Sequence, residues 1–238
     1  MADSLYRGCS VPARLPFIEA ASKYIFERLA LDIEDMGEMP CCIEPVGLRS
    51  LGHDTWSDVT GFICSKASGR IVTLCDGCTV SLADSVRERG SGPEISGIVE
   101  ILHENIGRIS ESIVSPVGMK LAVFPGCHCE AALSRKGKDA VRMMSDIVEA
   151  IGGTPVVPGE NLCCGGGLTS IDDTIAKAIL QESADSFRSA GASAAVTSCP
   201  FCFMQFDMVA RFRTYNIAEL TAKAMGWDAD TERYHRAR

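Results

Sequence analysis

Apolar positions along the chain follow two periods that alternate, one helical and one extended. After Pro16, apolar residues recur at the three- and four-residue spacing of a helix that buries one face, and a similar stripe begins at Val141. Each stripe leads into a short extended segment, 31–36 in the first case and 154–157 in the second. Alternating helices and strands are typical of folds in which helices cover a parallel sheet. The pattern therefore predicts an α/β protein.

Farther along the chain, each stripe is followed by a second helix and a second strand, which also match. Asp54 and Asp172 are each placed to cap an amphipathic helix, and β-rich runs follow at 71–74 and 194–197. Pro200 comes directly after the second run, where a further helix can begin. The chain thus predicts two pseudo-repeated halves, each with its own mostly parallel, Rossmann-like sheet.

A break separates these halves. The residues at 91–93 are Ser-Gly-Pro, and apolar residues from Ile95 to Ile106 then predict a connecting helix. We expect an N-terminal half at 1–90, a connecting segment at 91–118 and a C-terminal half at 119–238. The polar residues after Trp227 predict a frayed end.

Ten of the twelve cysteines follow the same repeat. In each half a single cysteine is followed by an adjacent pair and then by a CxxC pair. The intervals contain 31 and 32 residues in the first half and 35 and 34 residues in the second. The first set is Cys9, Cys41, Cys42, Cys75 and Cys78, and the second set is Cys127, Cys163, Cys164, Cys199 and Cys202.

Composition narrows the chemistry of these cysteines. With 238 residues and 46% apolar content, the chain can bury a core without disulfide staples. The net charge of −8 and the absence of a long basic stripe argue against nucleic acid as a partner. The N-terminus lacks a secretory leader, and the longest uncharged run, 189–206, contains Gly and Pro and is a poor membrane span. We therefore expect a cytoplasmic protein, in which clustered cysteines bind metal or carry redox chemistry.

Three interpretations of the cysteines compete. A disulfide framework conflicts with the reducing compartment and with adjacent pairs such as Cys41-Cys42, which rarely bridge. A structural zinc site would use both CxxC pairs but would leave both adjacent pairs unexplained. Iron–sulfur clusters suit two repeated sets of soft thiolates best. An ordinary four-iron cube needs four cysteines, so a fifth indicates either a spare redox thiol or a cluster of unusual shape.

Specific motifs surround these cysteines, and together they resemble one known family. The first half contains Gly-Cys-Ser-Val-Pro-Ala-Arg at 8–14, Cys-Cys-Ile-Glu-Pro-Val-Gly at 41–47 and Leu-Cys-Asp-Gly-Cys at 74–78. The second half contains Pro-Gly-Cys-His at 125–128, Cys-Cys-Gly-Gly-Gly at 163–167 and Cys-Pro-Phe-Cys at 199–202. Over nearly its whole length the chain resembles the B subunit of heterodisulfide reductase, a protein of two CCG domains. Ile43 departs from that pattern because it stands where the motif has glycine.

The resemblance implies both a cofactor and a reaction. In that family each five-cysteine motif holds a noncubane 4Fe–4S cluster, so the two sets would hold two clusters. The reaction would be a disulfide oxidoreduction that splits the mixed disulfide of coenzyme M and coenzyme B into two thiols. The alternatives are the same cluster chemistry on another disulfide or sulfur substrate, and a protein that only transfers electrons.

The resemblance also implies partners, which are the C and A subunits of heterodisulfide reductase. Electrons would arrive through the C subunit from the flavin-bearing A subunit, to which a hydrogenase or formate dehydrogenase can attach. The chain shows no flavin or nucleotide fingerprint of its own.

Two side chains beyond the ten cysteines are candidates for contact with substrate. His128 follows Cys127 directly, so it is a candidate catalytic proton donor and a candidate ligand for an anionic head group. Its alternative role is a hydrogen bond that tunes a cluster. Arg14 is a candidate for pairing with a sulfonate, phosphate or carboxylate, or else a surface residue. Cys64 and Cys129 fall outside both sets, and no role is assigned to them.

Overall fold

The computed structural model describes residues 2–43, 49, 52–159 and 163–237. The part of the 41–47 motif after Ile43 therefore lies outside the described residues. In the first half the strands are β1 (Asp3–Tyr6), β2 (Ile33–Asp35), β3 (Ile71–Thr73) and β4 (Ile95–Gly97). The helices are α1 (Ser10–Arg14), α2 (Pro16–Arg28), α3 (His53–Ser65), α4 (Asp76–Arg89), α5 (Ile98–Glu104) and α6 (Ile106–Glu111).

The second half repeats this order of elements. Its strands are β5 (Lys120–Val123), β6 (Thr154–Val156), β7 (Ala194–Thr197) and β8 (Thr214–Asn216). Its helices are α7 (Cys127–Ser134), α8 (Ala140–Ala150), α9 (Asp173–Ser189), α10 (Pro200–Phe203) and α11 (Ile217–Ala224). A π-helix (Met204–Val209) continues from α10, and a short 3₁₀ turn (Glu232–Tyr234) lies near the end.

Each half contains one four-stranded parallel sheet. The strand orders are β2-β1-β3-β4 and β6-β5-β7-β8, so the two sheets have the same topology. All six strand pairs are parallel. The prediction of an α/β fold with two Rossmann-like halves is confirmed.

The carboxyl ends of the strands carry the cysteines. Cys75 is the N-cap of α4 after β3, and Cys199 is the N-cap of α10 after β7. Cys9 and Cys127 occupy the equivalent positions after β1 and β5, at the starts of α1 and α7. This edge of a parallel sheet, where loops and helix N-termini converge, is where such folds place their sites.

The two sheets share one core. A continuous apolar cluster includes Leu5 and Val72 from the first sheet and Leu121 and Val196 from the second. Helices also pair across the halves, α2 with α11, α4 with α7 and α5 with α8. The two cysteine edges are therefore fixed relative to each other by packing.

Two local predictions need correction. Residues 95–97 form strand β4 and pair with β3, so the helix predicted from Ile95 begins at Ile98. Asp54 lies in the first turn of α3, whose N-cap is Gly52, whereas Asp172 caps α9 as predicted. The division of the chain at residues 90 and 118 stays a prediction.

The C-terminal segment is packed, so the prediction of a frayed end was wrong. His235 is buried, and its ring nitrogens lie 3.1 Å from Asp207 Oδ2 and 3.2 Å from Glu219 Oε1. Its ring also packs on Phe203 and Phe17, which joins the segment to both halves. Polar residues are buried here because they are paired.

Among the residues that the structure describes, no helix combines the length and the apolar character needed to cross a membrane.

Candidate functional site

The five cysteines of the first set lie side by side. The Sγ atoms of Cys9 and Cys41 are 3.4 Å apart, and those of Cys42 and Cys78 are 3.2 Å apart. Hydrogen bonds between thiols also join Cys41 to Cys42 and Cys75 to Cys78. The set thus forms one row of thiols from the exposed Cys9 to the buried Cys75.

The second set forms the same row. Hydrogen bonds join Cys163 to Cys164, Cys164 to Cys202, and Cys202 to Cys199. Cys127 lines the same cavity as Cys163 and acts on it electrostatically, and the Sγ of Cys127 lies 3.5 Å from His128 Nδ1. As in the first set, the row runs from an exposed cysteine to a buried one.

The two rows meet at Cys75 and Cys199. A hydrogen bond joins these buried thiols, one from each CxxC pair. All twelve cysteines are free thiols, so the disulfide framework is not formed. The two CxxC pairs do come together, as a zinc site would require, but the described residues contain no compact group of three donors suited to a single metal ion.

Some of these thiols are polarised toward the thiolate form that metals bind. Hydrogen bonds from Cys163 and Cys202 lower the pKa of Cys164 to about 3. Hydrogen bonds from Cys199 and Cys78 likewise lower the pKa of Cys75, although burial opposes this shift. Each set therefore contains one thiol whose surroundings favour the thiolate.

A cavity of about 270 Å³ opens beside the second set. All five cysteines of that set line it, together with Gly77, Gly126, His128, Leu168 and Phe201. Two positive-φ glycines make room for the thiols, because a Cβ on Gly126 would lie 2.9 Å from Cys202 Sγ, and one on Gly8 would lie 2.9 Å from Cys78 Sγ. Five soft donors around a cavity of this size fit an iron–sulfur cluster.

Buried hydroxyl groups hold the adjacent cysteine pairs in place. Ser81 donates a 2.7 Å hydrogen bond to the carbonyl of Cys42 and accepts one from the indole of Trp56. Ser183 donates a 2.9 Å hydrogen bond to the carbonyl of Cys163. Sequence reasoning missed these serines because nothing in the local pattern distinguishes them from other helical serines.

The residue after each adjacent pair has left-handed backbone geometry. Gly165 has φ of +70° and Ile43 has φ of +56°. Glycine adopts this conformation freely, whereas a β-branched residue is strained in it. The departure at Ile43 therefore leaves the backbone shape of the motif unchanged.

A polar pair at the boundary of the two halves was also missed. Ser198 donates a 2.6 Å hydrogen bond to Asp76 Oδ2, and both residues are buried next to a cysteine of a CxxC pair. Burial raises the pKa of Asp76 to about 7. The thiol of Cys129 also contacts Ser198.

The candidates for substrate contact are separated in the structure. His128 is half-buried and lines the cavity. Arg14 is exposed at the end of α1, and its Nη1 atom lies 3.9 Å from Met204 Sδ in the second half. Cys64 and Cys129 are buried outside the two rows, and burial raises the pKa of both thiols, which disfavours the reactive thiolate.

Comparison with known proteins agrees with this arrangement. A family model described as a cysteine-rich CCG domain matches residues 121–207. The B subunit of the ferredoxin/F420H2-dependent CoB–CoM heterodisulfide reductase of Methanosarcina acetivorans is 30% identical over 236 residues, which cover 86% of this chain and 79% of that protein. The B subunit of the ferredoxin:CoB–CoM heterodisulfide reductase of Methanosarcina mazei is 30% identical over 240 residues, with the same coverage. The chain belongs to the family of heterodisulfide reductase B subunits.

Membership makes this chain a relative of iron–sulfur reductase subunits. The B subunit of the fumarate reductase (CoM/CoB) of Methanothermobacter marburgensis is 26% identical over 203 residues, which cover 83% of this chain and 40% of that protein. A hypothetical protein of Helicobacter pylori has the same fold at a TM-score of 0.66 and 10% identity. That match covers 99% of this chain and 51% of the other.

Proposed function

We propose that this chain is the catalytic component of a heterodisulfide reductase-type complex. Its reaction is the reduction of the mixed disulfide of coenzyme M and coenzyme B to two thiols. One observation carries the proposal: two five-cysteine rows of the same order meet at Cys75 and Cys199. Two redox centres placed this close can act on a single disulfide bond between them.

The cofactors would be two noncubane 4Fe–4S clusters, one in each set. The ligands of the first are Cys9, Cys41, Cys42, Cys75 and Cys78, and those of the second are Cys127, Cys163, Cys164, Cys199 and Cys202. When bound, such clusters supply single electrons beside a sulfur atom. The polarised thiols of Cys75 and Cys164 and the cavity beside the second set support this assignment.

The side chains at the cavity would bind the substrate and assist release of the product. His128 places its ring at the cavity wall, where it donates a hydrogen bond or a proton to a product thiolate. Arg14 lies outside the cavity lining and is exposed, so it would pair with an acidic group at the far end of a long substrate.

The proposed setting is a cytoplasmic complex of several proteins. A C subunit of the heterodisulfide reductase type would deliver electrons from a flavin-bearing A subunit, which would in turn carry a hydrogenase or formate dehydrogenase. The related proteins named above are themselves reductase subunits, which supports a partner-dependent role.

A second candidate is the same chemistry on a less anionic disulfide. Of the described residues that line the cavity, His128 is the one with a basic side chain. The mixed disulfide carries several acidic groups, whereas a smaller or neutral disulfide would need fewer cationic partners.

The test is an anaerobic assay of the complex with reduced viologen as electron donor. We expect oxidation of viologen to depend on the mixed disulfide and to yield both thiols, with four-iron clusters shown by iron and sulfide analysis. Activity with other disulfides alone would favour the second candidate. Clusters that are oxidised and reduced without responding to any disulfide would identify a protein that only transfers electrons and would overturn the proposal.

A further inference from the structure

Tyr6 and Phe124 occupy pseudo-equivalent positions, one in each half. Tyr6 ends β1 two residues before Gly8, and Phe124 follows β5 two residues before Gly126. Both rings lie at the same place beside these glycines, since a Cβ on Gly8 would lie 4.0 Å from Tyr6 Cε1 and one on Gly126 would lie 3.5 Å from Phe124 Cε1. The two rings therefore share a packing role beside the cysteines, and the hydroxyl group of Tyr6 is the difference between them.

The hydroxyl group of Tyr6 donates a 2.7 Å hydrogen bond to the carbonyl of Pro40. Pro40 directly precedes the adjacent pair Cys41-Cys42, and Tyr6 is buried in the same apolar cluster as Cys42. A buried tyrosine joins two functions in this way, because its ring packs while its hydroxyl group binds a polar partner. Tyr6 thus ties the start of the adjacent pair to β1, which is paired on both sides within the first sheet.

The end of the adjacent pair is tied as well, and a strained residue follows it. Ser81 donates a 2.7 Å hydrogen bond to the carbonyl of Cys42, and Ile43 then has φ of +56°. Left-handed backbone at a β-branched residue persists only where its surroundings hold it. In the second half the matching residue is Gly165, which adopts φ of +70° without strain, and Phe124 has no hydroxyl group.

We propose that Tyr6 is a positioning residue of the first set, which holds Cys41 and Cys42 in their ligating arrangement against the strain at Ile43. This inference rests on the proposed cluster ligands and deepens the proposed function. Tyr6 acts through the carbonyl of Pro40, so its role requires no contact with cluster or substrate. Without this hydrogen bond, Ile43 can relax toward negative φ, and the two thiols before it move with the backbone.

The chain offers a test variant, a matched control and a rescuing variant. Tyr6→Phe removes the hydroxyl group and keeps the ring, and Phe124 shows that a phenyl ring suits this position. Tyr24→Phe is the control, because the hydroxyl group of Tyr24 also donates to a main-chain carbonyl, that of Met225, at 3.1 Å and away from both adjacent pairs. Ile43→Gly is the rescuing variant, since glycine removes the strain that Tyr6 is proposed to oppose.

The experiment is the anaerobic release of iron from the cluster-loaded protein to the chelator bathophenanthroline, with folding checked by circular dichroism. We expect Tyr6→Phe to release roughly half of its iron about fivefold faster than the wild type, the effect of one buried hydrogen bond on one of two clusters. Tyr24→Phe should release iron as the wild type does. Adding Ile43→Gly to Tyr6→Phe should bring the rate back to within about twofold of Ile43→Gly alone.

The outcomes separate this inference from the function on which it rests. A general stabilising contact would make the two substitutions additive, so a double variant that releases iron faster than Tyr6→Phe would overturn the positioning role. Equal release from Tyr6→Phe and Tyr24→Phe would overturn it too, and either result leaves two clusters and disulfide reduction standing. If the wild type binds only one cluster, the first set is not a ligand set, and the proposed function fails together with the inference.

Discussion

Ser198 donates a 2.6 Å hydrogen bond to the buried carboxyl of Asp76, across the boundary between the two halves. Each residue is the direct neighbour of a cysteine at which the two rows meet, Ser198 beside Cys199 and Asp76 beside Cys75. The peptide carbonyl of Ser198 also accepts a hydrogen bond from Asn216 in β8. The spacing between the two cysteine sets therefore depends on a polar contact as well as on the shared core.

Removal of the Ser198 hydroxyl should destabilise the protein. Ser198→Ala leaves a buried carboxyl oxygen without its donor, and such a loss costs about 1–3 kcal/mol. Asp76→Asn keeps an acceptor for Ser198 and should cost less. The measurement is urea unfolding of the cluster-loaded protein under anaerobic conditions. The exposed Ser134→Ala is the control and should leave stability unchanged, and a Ser198→Ala variant as stable as this control would contradict the prediction.

The sequence predicted those features that depend on local pattern. Apolar periodicity and cysteine spacing repeat within each half, so the two parallel sheets and the two cysteine sets followed from them. Strands β4 and β8 were missed although β2, β3 and β6 are equally short, because residues 95–97 run directly into the apolar stripe of α5 and residues 214–216 form no apolar run. The meeting of Cys75 with Cys199 and the bond from Ser198 to Asp76 join residues more than a hundred positions apart, and no local signal encodes them.

The C-terminal segment shows a different reason for a missed feature. Its composition is polar, and polarity is a sound reason to expect exposure. His235 is nevertheless buried, because Asp207 and Glu219 form hydrogen bonds with both of its ring nitrogens. Pairing of this kind depends on the tertiary structure and cannot be predicted from composition.

Gly126 should be essential for the second cluster. Its φ is +79°, and a methyl group on its Cα would lie 2.9 Å from Cys202 Sγ, which leaves no room for alanine. Gly126→Ala should therefore lose roughly half of the bound iron, since each set accounts for one of two four-iron clusters. Iron and sulfide analysis of the purified protein measures this loss.

Gly137→Ala is the control that distinguishes the effect of the collision at Gly126 from the effect of backbone strain. Gly137 has a similar φ of +68°, but no atom lies within 4 Å of its Cβ position. Alanine there meets only the left-handed strain, about 1–2 kcal/mol. Equal iron loss in both variants would show that strain, not contact with Cys202, is responsible.

Substitution of Ile43 and of Gly165 should have opposite effects, although the two residues occupy matching positions. Ile43→Gly relieves left-handed strain of about 1–2 kcal/mol, which offsets the lost burial and the added chain entropy of glycine. We expect full iron content and a free energy of unfolding within about 1 kcal/mol of the wild type. Gly165→Ala should lose iron and stability, because a Cβ there would collide with the carbonyl oxygen of Ala176. A stable, fully loaded Gly165→Ala protein would refute this reasoning.

Substitution of cysteines should separate ligands from structural thiols. Cys199→Ser removes a proposed ligand and should lower the iron content and alter the electron paramagnetic resonance spectrum. Cys64→Ala and Cys129→Ala should retain all iron and sulfide, because both thiols are buried outside the two rows. Iron loss from either alanine variant, at unchanged folding by circular dichroism, would mean that the ligand sets are wrongly assigned.

His235 should give stability a defined pH dependence. Burial alone would lower the pKa of His235, but its hydrogen bonds to Asp207 and Glu219 raise it above the ordinary value. The same bonds lower the pKa of both carboxyls, although burial opposes the shift. The other charged groups that act on this network are Arg213, Lys223 and Glu232.

The signs of these shifts fix the pH window. The stability that the raised pKa of His235 contributes is complete below about pH 6.5 and is lost as the pH rises through the folded-state value. The contribution of Asp207 and Glu219 is present above about pH 4.5 and is lost as the pH falls through their lowered values. The difference in unfolding free energy between the wild type and His235→Gln should therefore be largest between about pH 4.5 and 6.5. Urea unfolding across roughly pH 4 to 9 measures this difference. The control is His53→Gln at an exposed position, for which the difference in unfolding free energy should be small at every pH. If the difference grows steadily from neutral to alkaline pH, the charged His235 pair does not exist.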